Sequence, residues 1–579
     1  MGSYSDGHIC QCLNRLSTLR HNSPLFISGD RERTGPEFVD SVLALAQGLL
    51  RLGLVSGDIV AIAAFNNEWY MEWLLAIAYV GGIAAPLNYR WCFEETMLTM
   101  DMVRPIMLVM DKSCNHWFSK LQNCDLPSLR WSVSLDSSSS NLISTWKLLT
   151  TEEIKKHFVR DLPLDYSWAP EGVVIICFTS GTTGRPKGVS ISHSALIVQS
   201  LAKIAIVGYS EDDVYLHTAP LCHIGGLSSA IAMLMIGACH VLIPKFEANS
   251  ALEAIEQYGV TSLITVPAMM ADLIFTIRGK ETRKGRDCVK KILNGGGGLS
   301  TELARHASKF FPRAKLLSAY GMTETCSSLT FMILYDPTSE TTSQTLETPD
   351  ERKCDSVQPQ GVCVGKPAPH VELKISVERS SRIGRILTRG PHVMLGYWDQ
   401  SPSKTSDSCN KHWLDTGDIG YVDDYGNVWL IGRTNGRIKS GGENVYPEEV
   451  ESILSQHPGI MNAVIVGIPD ARFTEMVVAC IRLRTEWKWS NRSLGHSVVE
   501  EKLYLSSDIL RQYCIKKSLT GFKIPKIFVL WKKPFPITST GKNKYFRASL
   551  LFKKVTTWSS DMQNEVARSA IVKQSWSST

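Results

Sequence analysis

Nothing in this chain is spaced to hold a structural metal. Its fifteen cysteines are scattered, and Cys10 and Cys12 have no second pair at zinc spacing. Several others (Cys177, Cys239, Cys480) lie inside apolar runs, which suits reduced, buried thiols of an intracellular protein rather than a disulfide scaffold. An excess of one charge is missing too. A formal net charge of +6 over 579 residues falls far below the dense basic footprint of a nucleic-acid binder, so that class is excluded. No nucleophile-elbow serine and no Cys/His motif occurs, so covalent catalysis by a protein side chain is not expected.

The termini carry no clear address. Asp6 occupies the Ser/Thr position of the myristoylation pattern. No apolar signal-peptide core is present, and Asp6 and Asp30 do not suit an Arg/Ser-rich transit peptide. The last residues, Trp576-Ser577-Ser578-Thr579, are not a peroxisomal tripeptide. One segment imitates a membrane span, because Val214 to Pro244 holds no Asp, Glu, Lys or Arg. Its interruptions (His217, Pro220, His223, Gly225, Gly226, His240) and the lack of a flanking positive cluster argue against insertion. A buried helix from about Leu227 to Ile236 and a buried strand from Cys239 to Ile243 are predicted instead.

What is present is an ordinary globular composition, 44% hydrophobic and 20% charged, in a chain too long for one core. Between residues 36 and 330, apolar strand-like runs alternate with helix-like periodic segments. The strand-like runs are Ile59–Ile62, Met107–Met110, Val173–Phe178, Val241–Ile243 and Leu263–Val266. Alternation of this kind predicts βαβ units, mostly parallel sheets and helices outside. Short strands with Gly-containing turns dominate from about 361 to 432, and a smaller α+β pattern follows Gly436. Residues 485–506 read as a surface insertion.

The most informative stretch follows the apolar run Val173–Phe178. It reads Thr179-Ser180-Gly181-Thr182-Thr183-Gly184-Arg185-Pro186-Lys187-Gly188. Small residues, hydroxyls and a lysine behind a strand make a loop whose N–H groups can face phosphate. A P-loop NTPase needs glycine before its lysine and Ser or Thr after it. Pro186 and Gly188 stand there instead, which excludes that motif. Four further motifs follow in order. They are Asn294-Gly295-Gly296-Gly297-Gly298; Ala319-Tyr320-Gly321-Met322-Thr323-Glu324; Trp413 to Asp418 with Gly432-Arg433; and Ser440-Gly441-Gly442-Glu443-Asn444-Val445-Tyr446-Pro447. Phe522-Lys523-Ile524-Pro525 and Pro536 to Lys542 complete the set.

In this order the motifs resemble those of the acyl-adenylate-forming enzymes, which include acyl-CoA synthetases, luciferases and adenylation domains. The resemblance covers roughly residues 170 to 545. The fold it implies is α/β, with a large N-terminal domain over residues 1–435 made of two βαβ-type subdomains and a small β-barrel-like one. A smaller mobile α+β domain over 437–550, a hinge near Gly436 and a tail over 551–579 would follow. ATP, CoA and Mg²⁺ are the implied cofactors, and a small carboxylic acid is the implied substrate; neither nucleic acid nor a membrane span is expected. By resemblance, Thr179 to Gly184 and Lys187 bind phosphates, Gly296 and Gly297 wall the adenine and acyl groups, and Tyr320 with Gly321 meets the adenine. Thr323 binds the α-phosphate, Glu324 holds Mg²⁺, Asp418 and Arg433 take the ribose, and Gly441 and Gly442 line the CoA tunnel. Lys542 matches the mobile lysine of adenylation. His223, Gly225, Gly226 and Ser228 are expected to line the acid pocket.

Wording around Trp73–Ala76, Ala84–Trp91, Leu216–Ser229 and Ile438–Glu449 narrows the resemblance to plant acid–CoA ligases that act on an aromatic dicarboxylic acid, with a plastid or peroxisomal setting implied. Two positions depart from the family pattern. Gly436 stands where Asp or Lys is usual at the hinge, and Tyr545 stands where arginine closes the lysine motif. Three outcomes stay open at this level: a ligase releasing AMP and pyrophosphate, an oxidising relative, and a nucleotide binder without turnover.

Overall fold

A computed structural model describes residues 7–91, 93–114, 117, 120–121, 124, 126–135, 148–159, 165–179, 186–278, 285–299, 301–339, 361–377, 382–398, 413–433, 436, 438–440, 443–470, 474–490, 503–517, 519, 521, 523–532 and 534–535. The chain divides into two compact units. One comprises Met1–Gln358, Val362–Thr416 and Tyr421–Trp429; the other comprises Pro359–Gly361, Gly417–Gly420 and Leu430–Thr579.

The first unit is built on two mostly parallel sheets. In one, the strands run in the order Gly396–Tyr397, Lys187–Ser192, Val173–Thr179, Ile83–Pro86, Ile59–Ala63, Met107–Met110, Trp131–Ser134 and Leu148–Thr150. All neighbours from Val173–Thr179 onward are parallel, and the first two strands are antiparallel additions at the edge. The unbroken apolar run Val173–Phe178 has a physical cause. Val174, Ile175 and Cys177 pack into one core, while Val173, Ile176 and Phe178 pack into another. A strand covered on both faces has no polar side to alternate with.

The second sheet places Phe26–Ser28, Cys239–Leu242, Val214–His217, Ser262–Thr265, Lys291–Asn294 and Lys315–Tyr320 side by side in parallel. Thr330–Tyr335 then adds antiparallel to Lys315–Tyr320, and Val362–Pro367 adds antiparallel to Thr330–Tyr335. A hairpin of Glu372–Val377 and Gly384–Arg389 lies in the same unit.

The charge-free segment is inside the protein. Its helix spans Ile224–Ile236 and ends on Gly237 at φ 73°, a left-handed cap that glycine adopts without strain. Its strand is Cys239–Leu242. The helix therefore starts one turn earlier than the sequence predicts, because Gly225 and Gly226 read as breakers. Among the described residues no helix is long and apolar enough to cross a membrane.

In the second unit, the helix Pro447–Ser455 begins as the sequence predicts, with proline in its first turn and Glu448 and Glu449 at its positive end. It packs on the antiparallel pair Ile460–Asp470 and Thr474–Leu483. Val450, Leu454, Ile465, Val477, Ala479 and Leu510 form that core. The predicted surface insertion is anchored at both ends. Trp487–Trp489 and Leu503–Leu505 pair in parallel, Leu505 is fully buried, and Trp487 packs on the core; residues 491–502 lie outside the described ones.

Candidate functional site

Chemistry-bearing residues of the first unit gather where parallel strands end at their carboxyl termini, the usual place for ligands in open α/β sheets. The glycine run follows Lys291–Asn294. Asn294 is buried and donates to the Gly297 carbonyl at 2.9 Å, while the Gly295 N–H donates to the Thr265 carbonyl at 2.8 Å on the neighbouring strand. Gly296 has φ +71°. The strip is pinned by its own backbone and presents no side chains, which suits close approach of a flat ligand.

The next strand, Lys315–Tyr320, runs into a tight reversal. Thr323–Thr325 forms one 3₁₀ turn, Thr325 Oγ1 donates to the Met322 carbonyl at 3.0 Å, and the Leu329 N–H returns to the Tyr320 carbonyl at 2.7 Å. Gly321 is obligatory there, since a Cβ would stand 1.7 Å from the Ser327 carbonyl oxygen. The reversal keeps Tyr320 half-buried and buries Glu324. Glu324 Oε1 accepts a hydrogen bond from the Tyr397 hydroxyl at 3.0 Å, and the Met394 N–H donates to the Glu324 carbonyl at 2.9 Å. Burial first, and the Glu324 charge second, hold the Tyr397 phenol well above its ordinary pKa, so it stays a donor.

Tyr397 also faces Lys187. Its strand pairs with Lys187–Ser192, and the Lys187 ammonium lies 5.0 Å from the centre of its ring. Thr179 and Lys187 are directly opposite each other across an antiparallel pair. Lys187 thus opens a strand, whereas the lysine of a P-loop opens a helix. Residues Ser180, Gly181, Thr182, Thr183 and Gly184 lie outside the described residues.

The expected pocket residues sit at the start of the helix Ile224–Ile236. His223 takes the N-cap position without a side-chain cap, and its Nε2 is buried with no hydrogen-bond partner among the described residues. Burial, helped by the charge of Arg90, lowers the His223 pKa to about 4, leaving a neutral imidazole. Gly226 lets this turn approach Pro220, whose carbonyl oxygen would lie 2.4 Å from a Cβ. A Cβ on Gly225 would meet nothing within 4 Å among the described residues. Ser228 is fully buried and donates to the Ile224 carbonyl at 2.6 Å.

Two residues that sequence reasoning missed hold these turns. Both belong to the helix His193–Lys203, one turn apart on the same face. Gln199 Nε2 donates to the Thr325 carbonyl at 3.2 Å and also to that of Ser328. Lys203, fully buried, donates to Ser228 Oγ at 2.6 Å, Ser229 Oγ at 3.0 Å and the Gly225 carbonyl at 3.4 Å. A lysine ending an amphipathic helix reads as a solvated charge, and no local pattern marks it otherwise. Tyr397 was missed because Gly396-Tyr397-Trp398 carries no composition signal beside the polar stretch that follows.

In the second unit Asp418 and Arg433 meet. Arg433 Nε donates to Asp418 Oδ1 at 3.1 Å, with Asp418 buried. Gly432 is required beside them, since its Cβ would stand 2.8 Å from the Tyr446 ring. Gly436 is not sterically required in this conformation, its nearest atoms lying 3.8 Å from a Cβ. Lys523 pairs with buried Glu449 at 2.7 Å. Gly441, Gly442, Lys542 and Tyr545 lie outside the described residues.

Among the described residues no group of three His, Cys, Asp or Glu side chains is arranged for a metal. One buried carboxylate, Glu324, nevertheless fits Mg²⁺, which keeps several waters and is held by one or two carboxylates plus substrate phosphates.

Comparison with known proteins agrees with this layout. The family model described as AMP-binding enzyme matches residues 16–398, and that of the AMP-binding enzyme C-terminal domain matches 449–542. The chain is 56% identical over 554 residues to the chloroplastic/peroxisomal 2-succinylbenzoate–CoA ligase of Arabidopsis thaliana, covering 94% of this chain and 97% of the relative. It is 30% identical to the indoleacetate–CoA ligase of Aromatoleum aromaticum, over 78% and 83% of the two chains. Among solved structures, the Bacillus subtilis o-succinylbenzoate coenzyme A synthetase in complex with ATP and magnesium superposes with a TM-score of 0.69 at 25% identity, over 92% and 97%. The same enzyme with its acyl-adenylate intermediate gives 0.71 at 24% identity, over 93% and 97%.

Proposed function

The chain belongs to the AMP-binding enzyme family, and from that premise we propose that it is an ATP-dependent ligase joining 2-succinylbenzoate to CoA in phylloquinone biosynthesis. The observation that carries the acid assignment is identity of 56% along nearly the whole chain with a plant ligase of that name. The same relative supports a plastid or peroxisomal setting.

The reaction has two steps. The succinyl carboxylate attacks the α-phosphate of ATP, giving the acyl-adenylate and pyrophosphate. The CoA thiol then attacks the acyl carbon and AMP leaves, so no protein nucleophile is required. Negative charge on phosphate oxygens dominates the first step, and preorganised donors stabilise it best in a dry site. We assign that work to Lys542, Thr323 and the Thr179–Lys187 loop. Mg²⁺ held by Glu324 supplies Lewis-acid stabilisation of the phosphates. The hydrogen bond from Tyr397 fixes one Glu324 oxygen and so aims the carboxylate. Asp418, oriented by Arg433, accepts from the ribose hydroxyls, and Tyr320 with the Gly295–Gly298 strip forms the flat wall for adenine and acyl group. We propose the domain boundary and hinge near Gly436, and assign CoA to the Gly441–Tyr446 loop.

ATP–pyrophosphate exchange across 2-succinylbenzoate, benzoate, cinnamates and fatty acids tests the reading. Fastest exchange with 2-succinylbenzoate is expected. A higher kcat/KM for a cinnamate or fatty acid would remove the acid assignment and leave the ligase. Nucleotide binding without exchange on any acid would leave only a binder.

A further inference from the structure

We infer that Lys203 is the specificity-determining cation for the second, aromatic carboxylate of the acid, acting through the first turn of the helix Ile224–Ile236. The inference rests on the 2-succinylbenzoate reading above. It starts from a fully buried ammonium that no carboxylate pairs with among the described residues. Its acceptors are neutral: Ser228 Oγ, Ser229 Oγ and the Gly225 carbonyl, at 2.6, 3.0 and 3.4 Å. A buried cation solvated only by neutral oxygens is short of an anion.

The surroundings sharpen that deficit. The ammonium lies under the amino-terminal turn of a 13-residue helix, where N–H groups add positive potential. Its own helix runs on into a π-helical turn, Ile204–Gly208, so no helix carboxyl end lies at Lys203 to offset this. No side chain caps the Ile224 helix, and His223 is neutral with its Nε2 unpartnered. Other titratable or charged groups nearby do not supply the anion. The Cys326 thiol is pushed up to about 12 by burial, Tyr215 beside Ser229 is raised further by burial, and Arg90 near His223 is a cation.

Access is provided by glycine. Gly225, whose carbonyl touches the ammonium, would meet nothing within 4 Å among the described residues if it carried a Cβ. A carboxylate seated over that open position meets the turn's N–H groups and lies one peptide away from the cation. The longest of the three contacts, to the Gly225 carbonyl, is the one the ammonium can exchange for the substrate oxygen.

Ser228 and Ser229 keep their own donors on the Ile224 and Gly225 carbonyls. Lys203→Met therefore orphans no buried donor, and removing an unpaired buried charge should not lower the melting temperature. Burial also lowers the Lys203 pKa to about 7, opposed by Cys326. The charged form is therefore progressively lost above about pH 7 in the free enzyme, and a bound carboxylate would shift it back toward charge.

The test is ATP–pyrophosphate exchange by the full-length enzyme with 2-succinylbenzoate and with 4-oxo-4-phenylbutanoate, which lacks the aromatic carboxylate. Wild type should prefer the dicarboxylate at least about tenfold, and Lys203→Met should lose that preference by about ten- to a hundredfold. The KM for ATP should stay within about threefold, and the loss on the monocarboxylate should be smaller than that on the dicarboxylate. The wild-type preference should also shrink as pH rises above 7, and the Met variant's should not. Equal loss on both acids, or an unchanged preference at every pH, overturns the role of Lys203 while the function stands. If wild type itself turns over neither acid, the function reading falls and this role falls with it. Lys203→Arg, which keeps the charge, guards against a folding defect: it should retain more of the preference than Met, and an Arg variant no better than Met counts against the inference.

Discussion

Two turns of the first unit are held by one face of one helix, in different ways. At the nucleotide end, the neutral amide of Gln199 ties down the Thr323–Ser328 reversal through two carbonyls. At the acid end, one turn further along, the Lys203 ammonium ties down the start of the helix Ile224–Ile236 through two hydroxyls and a carbonyl. The first arrangement supplies geometry without charge. That suits a turn presenting Thr323 and Glu324 if, as proposed above, loop donors, Mg²⁺ and Lys542 supply its electrostatics. The second brings a charge into the interior with no partner of its own. A buried cation is costly to keep, so its retention points toward the ligand rather than toward stability.

Substitutions at the nucleotide end should change the rate and leave the choice of acid alone. The largest effect is expected for Lys542→Ala. Loss of one preorganised donor at the reacting phosphate typically costs about a hundred- to a thousandfold. ATP–pyrophosphate exchange should fall by that factor for every acid, while pre-made acyl-adenylate plus CoA is converted nearly normally. Equal loss of both half-reactions would show that the lysine is not confined to adenylation.

Asp418→Ala comes next. It removes the proposed ribose acceptor and leaves Arg433 without its partner. The apparent KM for ATP should rise about ten- to a hundredfold, with the ratio of kcat/KM between two acids unchanged. A folded variant with normal ATP dependence would contradict the ribose role.

Tyr397→Phe removes only the hydrogen bond that aims Glu324. One hydrogen bond to a carboxylate corresponds to about 1.5–3 kcal/mol at most. The Mg²⁺ concentration giving half-maximal exchange should therefore rise by about tenfold, again for all acids alike. An unchanged Mg²⁺ dependence would remove Tyr397 from the site.

The smallest effect belongs to Gly436→Ala. Among the described residues no atom lies closer than 3.8 Å to the added Cβ, so thermal stability should change by no more than about 0.5 kcal/mol. A larger loss would mean that the position visits a backbone conformation only glycine tolerates. That finding would strengthen its assignment as the hinge.

Legibility from sequence divides along the same line as the two turns. The nucleotide end is written in contiguous words. Gly321 is needed because a side chain would collide with Ser327 six residues on, and Thr323 and Glu324 follow within the same turn, so one short motif carries the whole feature. The parallel strands were legible for a similar reason: Met107–Met110 appears as predicted, and Val173–Thr179 runs one residue past its prediction, since strands buried on both faces are plain apolar runs. The acid end is assembled from separate segments. Lys203 lies 22 residues before Gly225, and its burial is a product of packing between two helices that no local pattern encodes. The start of the Ile224 helix was missed because its glycines serve close approach to Pro220 and an open face, which look like helix breakers in a sequence. Tyr397 meets Glu324 across 73 residues, again without a local signal.

One set of measurements tests the division between geometry and charge directly: kcat/KM for 2-succinylbenzoate and for 4-oxo-4-phenylbutanoate in wild type, Gln199→Leu and Lys203→Met. Gln199→Leu leaves two buried carbonyls without their donor, at about 1–3 kcal/mol each. It should depress both acids by the same factor. Lys203→Met should depress the dicarboxylate more than the monocarboxylate. Selectivity altered equally by both variants, or by Gln199→Leu alone, would contradict the account.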